Sequence, residues 1–281
     1  MACGSLLAAS QAQAQTTITA WNFENDAIAV NNSPAPSTGS GTASSIGMSL
    51  FPTPNVGVTT DDVLVGKSSD TGANGVANLT QTWRVRGQAG SSGAANGWSS
   101  AAGIGTQGAV FSASTAGFNN ITVSFDWYAT TQGEANLQLE YTTDGVHFQN
   151  VALTLGGSDA GLQVLNNSTS ANTVAGSYVS DNVLNNGSMA GQDWFTGLTA
   201  TITDPNAANN ASFGFELVNA STGADCVSTA GSALNNTSGN WRFDNVSISG
   251  TSIVPEPSTL ALAGLGLSAM FGLRRLRNRK A

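Results

Sequence analysis

Hydrophobic side chains recur at every second position in several short runs along the middle of the chain. Ile121, Val123, Phe125 and Trp127 alternate with Thr122, Ser124 and Asp126, and Leu137, Leu139 and Tyr141 alternate with Gln138 and Glu140. Phe213, Phe215 and Leu217 make a third run, and Trp21 and Phe23 flank Asn22 near the start. A period of two puts the apolar set on one face of an extended strand. The last run, Trp241 to Ile248, slips its apolar phase by one between Phe243 and Val246. That slip predicts a β-bulge around Asp244-Asn245. Asp144-Gly145 are residue types that tolerate positive φ, so they predict a hairpin turn leading into Val146-His147-Phe148. No amphipathic helix of convincing length interrupts these runs.

Between the runs, residues 33–47, 87–108 and 156–177 are rich in Gly, Asn and Ser and read as long surface loops. No internal repeat of fixed period emerges. Antiparallel strands with long connections predict an all-β, antiparallel β-sandwich or jelly roll. Composition supports a folded body despite unusual solubility chemistry. Only 9% of the 281 residues are charged and 33 are Gly, yet six Trp and eleven Phe suffice for one core. Amides and hydroxyls must therefore supply much of the hydration.

Charge is distributed unevenly. Five of the nine basic residues lie in the last eight positions, whereas residues 15–254 hold sixteen Asp or Glu against four basic side chains. So acidic a body lacks the electrostatic footprint that phosphate backbones require, which excludes a nucleic-acid partner. The cysteines are Cys3 and Cys226. With Cys3 in a removable leader, Cys226 stands alone as a small incidental residue and no intramolecular disulfide forms.

The two ends read as addresses. Gly4-Ser5-Leu6-Leu7-Ala8-Ala9 is a short apolar stretch, followed by Ala12-Gln13-Ala14, the small-x-small form of a signal-peptidase site. Residues 1–14 are accordingly expected to be part of a signal peptide, with Gln15 as the mature start. No Lys or Arg precedes the apolar stretch, as expected if the leader begins further upstream. At the other end, Val254-Pro255-Glu256-Pro257-Ser258 leads into an uncharged Leu/Gly/Ala-rich segment, and then into Arg274, Arg275, Arg277, Arg279 and Lys280. Residues 258–273 sit at the short end of what spans about 30 Å of hydrocarbon. The basic cluster at 274–281 would hold its end in the cytoplasm, and the prolines in the 251–257 linker favour extended, protease-accessible chain.

In order and spacing, this tail resembles the PEP-CTERM sorting signal of Gram-negative bacteria. The resemblance implies cutting near Pro255-Glu256-Pro257 by an exosortase, a membrane transpeptidase. It also implies an inner-membrane intermediate held by the 258–273 helix, followed by delivery to the cell surface or an exopolysaccharide matrix. A plain single-pass anchor is the alternative, and it too would place the body, residues 15–250, outside the cell.

The body carries a second resemblance. Trp21-Asn22-Phe23-Glu24, Val123-Ser124-Phe125-Asp126-Trp127, Leu139-Glu140-Tyr141-Thr142-Thr143-Asp144-Gly145 and Trp241-Arg242-Phe243-Asp244-Asn245-Val246-Ser247 look like the galactose-binding-like jelly rolls of carbohydrate-binding modules. The resemblance implies that the first and last strands pair. It also implies a structural calcium ion held by Glu24 and Asp244, with Asp26 as a further ligand; calcium suits such oxygen cages. Alternatively, the acids sit on exposed strand edges.

Catalytic chemistry finds little support. His147 alternates with Val146 and Phe148 and is expected to face solvent, and there is no Gly-x-Ser-x-Gly elbow. Asp126, Glu134 and Glu140 could serve a glycoside hydrolase but are scattered in sequence. No phosphate-binding loop appears. The expected function is therefore a non-enzymatic surface or matrix protein. A carbohydrate-binding module is the alternative, and a secreted glycan hydrolase is a third reading. For sugar stacking the candidates are Trp98 and Trp194, in or beside polar, Gly-rich segments; each equally suits an end-cap of the core, and Trp83 is assigned to the core.

Overall fold

The alternating runs become strands with the predicted faces inward. A computed structural model describes residues 14–24, 33–47, 62–65, 81–86, 98–130, 132–154, 163–165, 183–185, 194–229, 234–236, 239–253 and Gly266. In chain order the strands are β1 (Gln15–Trp21), β2 (Thr42–Ile46), β3 (Asp62–Val65), β4 (Gln81–Arg86), β5 (Trp98–Ser99), β6 (Gly108–Ser112), β7 (Phe118–Ala129) and β8 (Asn136–Thr142). There follow β9 (Phe148–Asn150), β10 (Gln163–Leu165), β11 (Val183–Asn185), β12 (Phe195–Thr201), β13 (Gly214–Asn219), β14 (Asn235–Asn236) and β15 (Asn240–Ser252).

The first sheet runs β12-β7-β15-β4-β3. Its central strand, β15, lies along β7 on one side; β4 and β1 share the other, β4 facing Asn240–Phe243 and β1 facing Val246–Thr251. The second sheet runs β10-β11-β8-β13-β6-β2, with β9 also pairing with β8. A short ladder joins β14 to β5. These pairings are antiparallel, and the first and last strands pair as the jelly-roll resemblance implies.

Aromatic side chains join the layers. Phe111 on β6 stacks on Phe215 of its own sheet with centroids 5.2 Å apart. It meets Trp21, Trp83 and Phe243 of the first sheet edge-on at 5.2, 5.8 and 6.3 Å. Such offset and edge-to-face pairs are favoured by ring quadrupoles. Ile121, Val123, Phe125 and Trp127 are buried, as are Leu137, Leu139, Tyr141, Phe213, Phe215 and Leu217.

The bulge in β15 is present. Asp244 faces Asp126 while Ser247 faces Ser124, so β15 carries one extra residue, and Asn245 adopts φ 48°. This is why Trp241 and Phe243 share the inner face with Val246 and Ile248. Two expectations need correction. Gly/Ser-rich composition does not prevent strand formation: β2 falls inside 33–47, β5 inside 87–108 and β10 inside 156–177. Backbone ladder bonds are indifferent to such composition when a partner strand is at hand. The hairpin is also longer than predicted, because Thr142 pairs with Phe148 and leaves Val146 and His147 in the turn. Asp144 Oδ1 accepts both their N–H groups, at 2.9 and 2.8 Å. Among the described residues no helix is long and apolar enough to cross a membrane; the predicted span at 258–273 lies outside them apart from Gly266.

Candidate functional site

The sorting residues Pro255, Glu256, Pro257, Arg274, Arg275, Arg277, Arg279 and Lys280 lie outside the described residues. The body reaches towards them through Ile253, whose N–H donates to the Gly117 carbonyl at 2.9 Å. Gln15, the predicted mature start, is tied down at the same end; its Nε2 donates to the Asn120 carbonyl at 3.1 Å and to Thr122 Oγ1 at 2.8 Å.

Beside this end lies a cleft of about 450 Å³ lined by amides, hydroxyls and two isoleucines, among them Asn119, Ile121, Thr201, Ile202 and Asp204. Asp204 caps the short turn Pro205–Ala207 by accepting from Asn206 N–H at 2.8 Å. Tyr141 Oη donates to its other oxygen at 3.4 Å. Asn119 Oδ1 is buried without a hydrogen-bond partner. The cleft thus combines apolar side chains with amide, hydroxyl and carboxylate groups.

The tryptophans lie elsewhere: all six in the chain are buried. Trp98 is 1% exposed and lies 4.4 Å from Trp241, centroid to centroid. Trp194 is 6% exposed and packs on Tyr128, and Trp83 is in the core beside Phe23. Burial matches the end-cap alternative for Trp98 and Trp194, since neither indole presents a free face to a pyranose. Their Gly-rich flanks suggested exposure, but composition does not reveal which loop residues turn inward.

Of the proposed calcium ligands, Asp26 lies outside the described residues. Glu24 Oε1 accepts from the Gln81 N–H of β4 at 2.9 Å. Asp244 is fully buried, accepts from Asn245 N–H at 2.8 Å and lies opposite Asp126. Asp126 in turn accepts from Gly197 N–H at 2.7 Å and Asn245 Nδ2 at 3.0 Å. Backbone and amide donors thus compensate this carboxylate pair. Among the described residues, no three His, Cys, Asp or Glu side chains converge in a metal-holding cluster.

A second carboxyl pair sits on the other sheet. Glu140 on β8 lies opposite Glu216 on β13, and the two carboxyl groups hydrogen-bond each other. Burial first, then the Glu140 carboxylate, pushes Glu216 up to about 8. Burial also raises Glu140, opposed by its hydrogen bonds to Glu216 and Gln138. Strand alternation placed Glu140 on the outer face, but only the register between β8 and β13 brings Glu216 to it.

Glu134, the third scattered carboxylate, is entirely buried. Its Oε1 accepts from Ser221 Oγ at 2.9 Å and from the Asn136 backbone and side-chain nitrogens, each at 3.2 Å. Its Oε2 accepts from Cys226 Sγ at 2.9 Å. Burial pushes the carboxyl group from 4.5 up to about 7, against the pull of these hydrogen bonds. Burial and then the Glu134 charge drive the Cys226 thiol far above its ordinary range, which makes it a poor nucleophile. His147 is exposed, as expected, and its Nδ1 pairs with Asp144 Oδ2 of its own turn at 2.6 Å. The His147 backbone N–H first, then its side chain, holds the Asp144 carboxyl well below the usual range.

The family model of the PEP-CTERM protein-sorting motif matches residues 254–277. The match takes in Pro255-Glu256-Pro257 and Arg274, Arg275 and Arg277. The motif implies an exported protein that an exosortase processes on its way through the membrane to the cell surface. Comparison with curated proteins and with solved structures found no match.

Proposed function

We propose that this protein is a non-catalytic structural component of the extracellular, exopolysaccharide-rich matrix of a Gram-negative bacterium, with a jelly-roll body delivered by its tail. The supporting observation is the sorting motif at 254–277, which begins immediately after a β-sandwich that ends at Ser252 and Ile253. The acidic, amide- and hydroxyl-rich chain suits a hydrated polysaccharide environment. The inert setting of Cys226 and the placement of His147 in its own turn give no support to a nucleophilic or general-base role. In this reading, signal peptidase removes the leader, the 258–273 helix holds the intermediate in the inner membrane, and the Arg/Lys cluster stays in the cytoplasm until processing.

Fractionation of cells producing the wild type or a Pro255→Ala/Glu256→Ala/Pro257→Ala variant tests this. The wild type should appear trimmed in the matrix, and the variant should accumulate as an untrimmed membrane form. Deletion of the gene should weaken the matrix without removing any glycan-cleaving activity. A matrix unchanged by the deletion, or a lost hydrolytic activity, would overturn the structural reading.

The cleft near Asp204 favours a second reading, a calcium-stabilised carbohydrate-binding module that uses Glu24, Asp26 and Asp244 for the ion. Here Asp204→Ala would abolish saturable binding to the host polysaccharide, while Trp98→Ala and Trp194→Ala would act only through stability.

A further inference from the structure

The two sheets each carry a cross-strand carboxylate pair, but they treat it differently. On the first sheet, Gly197 N–H, Asn245 N–H and Asn245 Nδ2 supply donors to Asp126 and Asp244. On the second, Glu140 and Glu216 face each other with far less help. Among the described residues, apart from the hydrogen bond between the two carboxyl groups, the donor to the pair is Gln138 Nε2, 2.6 Å from Glu140 Oε1. Two carboxyl groups set opposite each other on neighbouring strands need a proton or a cation between them.

Gln138 supplies the second, independent observation. Its side chain is fully buried, and Oε1 of the same amide that reaches Glu140 has no hydrogen-bond partner. Leaving a buried amide oxygen unsatisfied costs about 1–3 kcal/mol, so such an atom calls for an explanation. Gly105, at φ 78°, lies over the Glu140 carboxyl group; a Cβ there would come within 3.9 Å of Oε2. The remaining strand neighbours are uncharged, Val110 of β6 opposite Glu216 and Asn150 of β9 opposite Glu140.

The geometry points to a calcium site on the outer face of the second sheet, with Glu140 and Glu216 as carboxylate ligands and Gln138 Oε1 as an amide ligand. An all-oxygen set selects a hard cation, and calcium accepts carboxylate, amide carbonyl and water oxygens in flexible cages of about six to eight ligands. The ion satisfies the orphaned amide oxygen and bridges the two carboxyl groups in place of their hydrogen bond. Water completes its shell from the solvent side, where Glu140 is half-exposed. The site is distinct from Glu24, Asp26 and Asp244, and it does not depend on the matrix role.

The test is calorimetric titration of CaCl₂ into the full chain, purified in detergent and stripped of metal. The wild type should bind saturably with a Kd of about 0.1–1 mM, the range of extracellular calcium modules. Glu140→Gln and Glu216→Gln should each weaken binding about tenfold or more, while Glu24→Gln leaves it unchanged. Calcium should raise the melting temperature of the wild type but not of Glu216→Gln; that variant keeps a donor facing Glu140 and should fold about as well as the wild type without metal. No heat of binding and no melting shift in the wild type would overturn the proposal. So would wild-type affinity in both Glu140→Gln and Glu216→Gln, or a loss confined to Glu24→Gln.

Discussion

Gln15 lies directly opposite Thr251, the first residue of β1 paired with the penultimate residue of β15. The predicted leader cleavage point and the sorting tail therefore leave the sandwich at one end. Because Gln15 is the first residue of an ordered edge strand, signal-peptidase cleavage after Ala14 fits a chain that is cut before it folds.

This register is open to direct test by cross-linking. A Gln15→Cys/Thr251→Cys variant should oxidise to an intramolecular disulfide, visible as faster migration on a non-reducing gel. It should also gain about 2–4 kcal/mol of stability on the chain-entropy account. Cross-linking of Gln15→Cys with Ser249→Cys in preference to Thr251→Cys would show the register to be shifted.

Glu134 makes stability depend on pH. Its folded value, about 7, lies above the ordinary 4.5, so the folded chain retains a proton that the unfolded chain releases between these values. The contribution is complete below about pH 4.5 and is lost as pH rises through 7. Glu216, raised in the same direction, adds to the slope. Urea melts should therefore show the wild type weaker at pH 8 than at pH 5. Glu134→Gln should recover about 3 kcal/mol at pH 8 and gain nothing at pH 5.

Trp98 and Trp241 should behave as core residues. Trp98→Ala removes an indole packed 4.4 Å from Trp241 and should cost about 3–5 kcal/mol in chemical denaturation. Trp241→Phe also deletes the Nε1–H bond to the Glu134 carbonyl, 2.7 Å long, and should cost about 1–3 kcal/mol. Near-wild-type stability in Trp98→Ala would return that indole to the surface and reopen it as a ligand contact.

The bulge residue Asn245 combines φ 48° with a 3.0 Å bond to Asp126. Asn245→Gly keeps the backbone conformation and loses the side chain's bond to Asp126, whereas Asn245→Val loses that bond too and adds left-handed strain. The Val variant should be about 1–2 kcal/mol less stable than the Gly variant. Equal stability in thermal melts would mean that the bulge relaxes.

Local sequence determined the strands of the core and the address at the tail, because both are short-range signals. Ile121 to Trp127, Leu137 to Tyr141 and Phe213 to Leu217 declare their inner faces by alternation alone, and the phase slip between Phe243 and Val246 marks the bulge. The Pro-Glu-Pro triplet, apolar segment and basic cluster are legible for the same reason: membrane insertion and proteolytic recognition read contiguous chain. Tertiary structure alone decided what depends on register and enclosure. Strand pairing sets Glu216, 76 positions away in the chain, against Glu140, and Asp126 against Asp244. Tertiary packing turns Trp98 and Trp194 inward, although their neighbours are polar. It also seals Glu134 against Cys226 and Ser221, raising a carboxyl group whose sequence context looks ordinary. Desolvation and cross-strand repulsion are properties of the packed chain, and no local pattern encodes them.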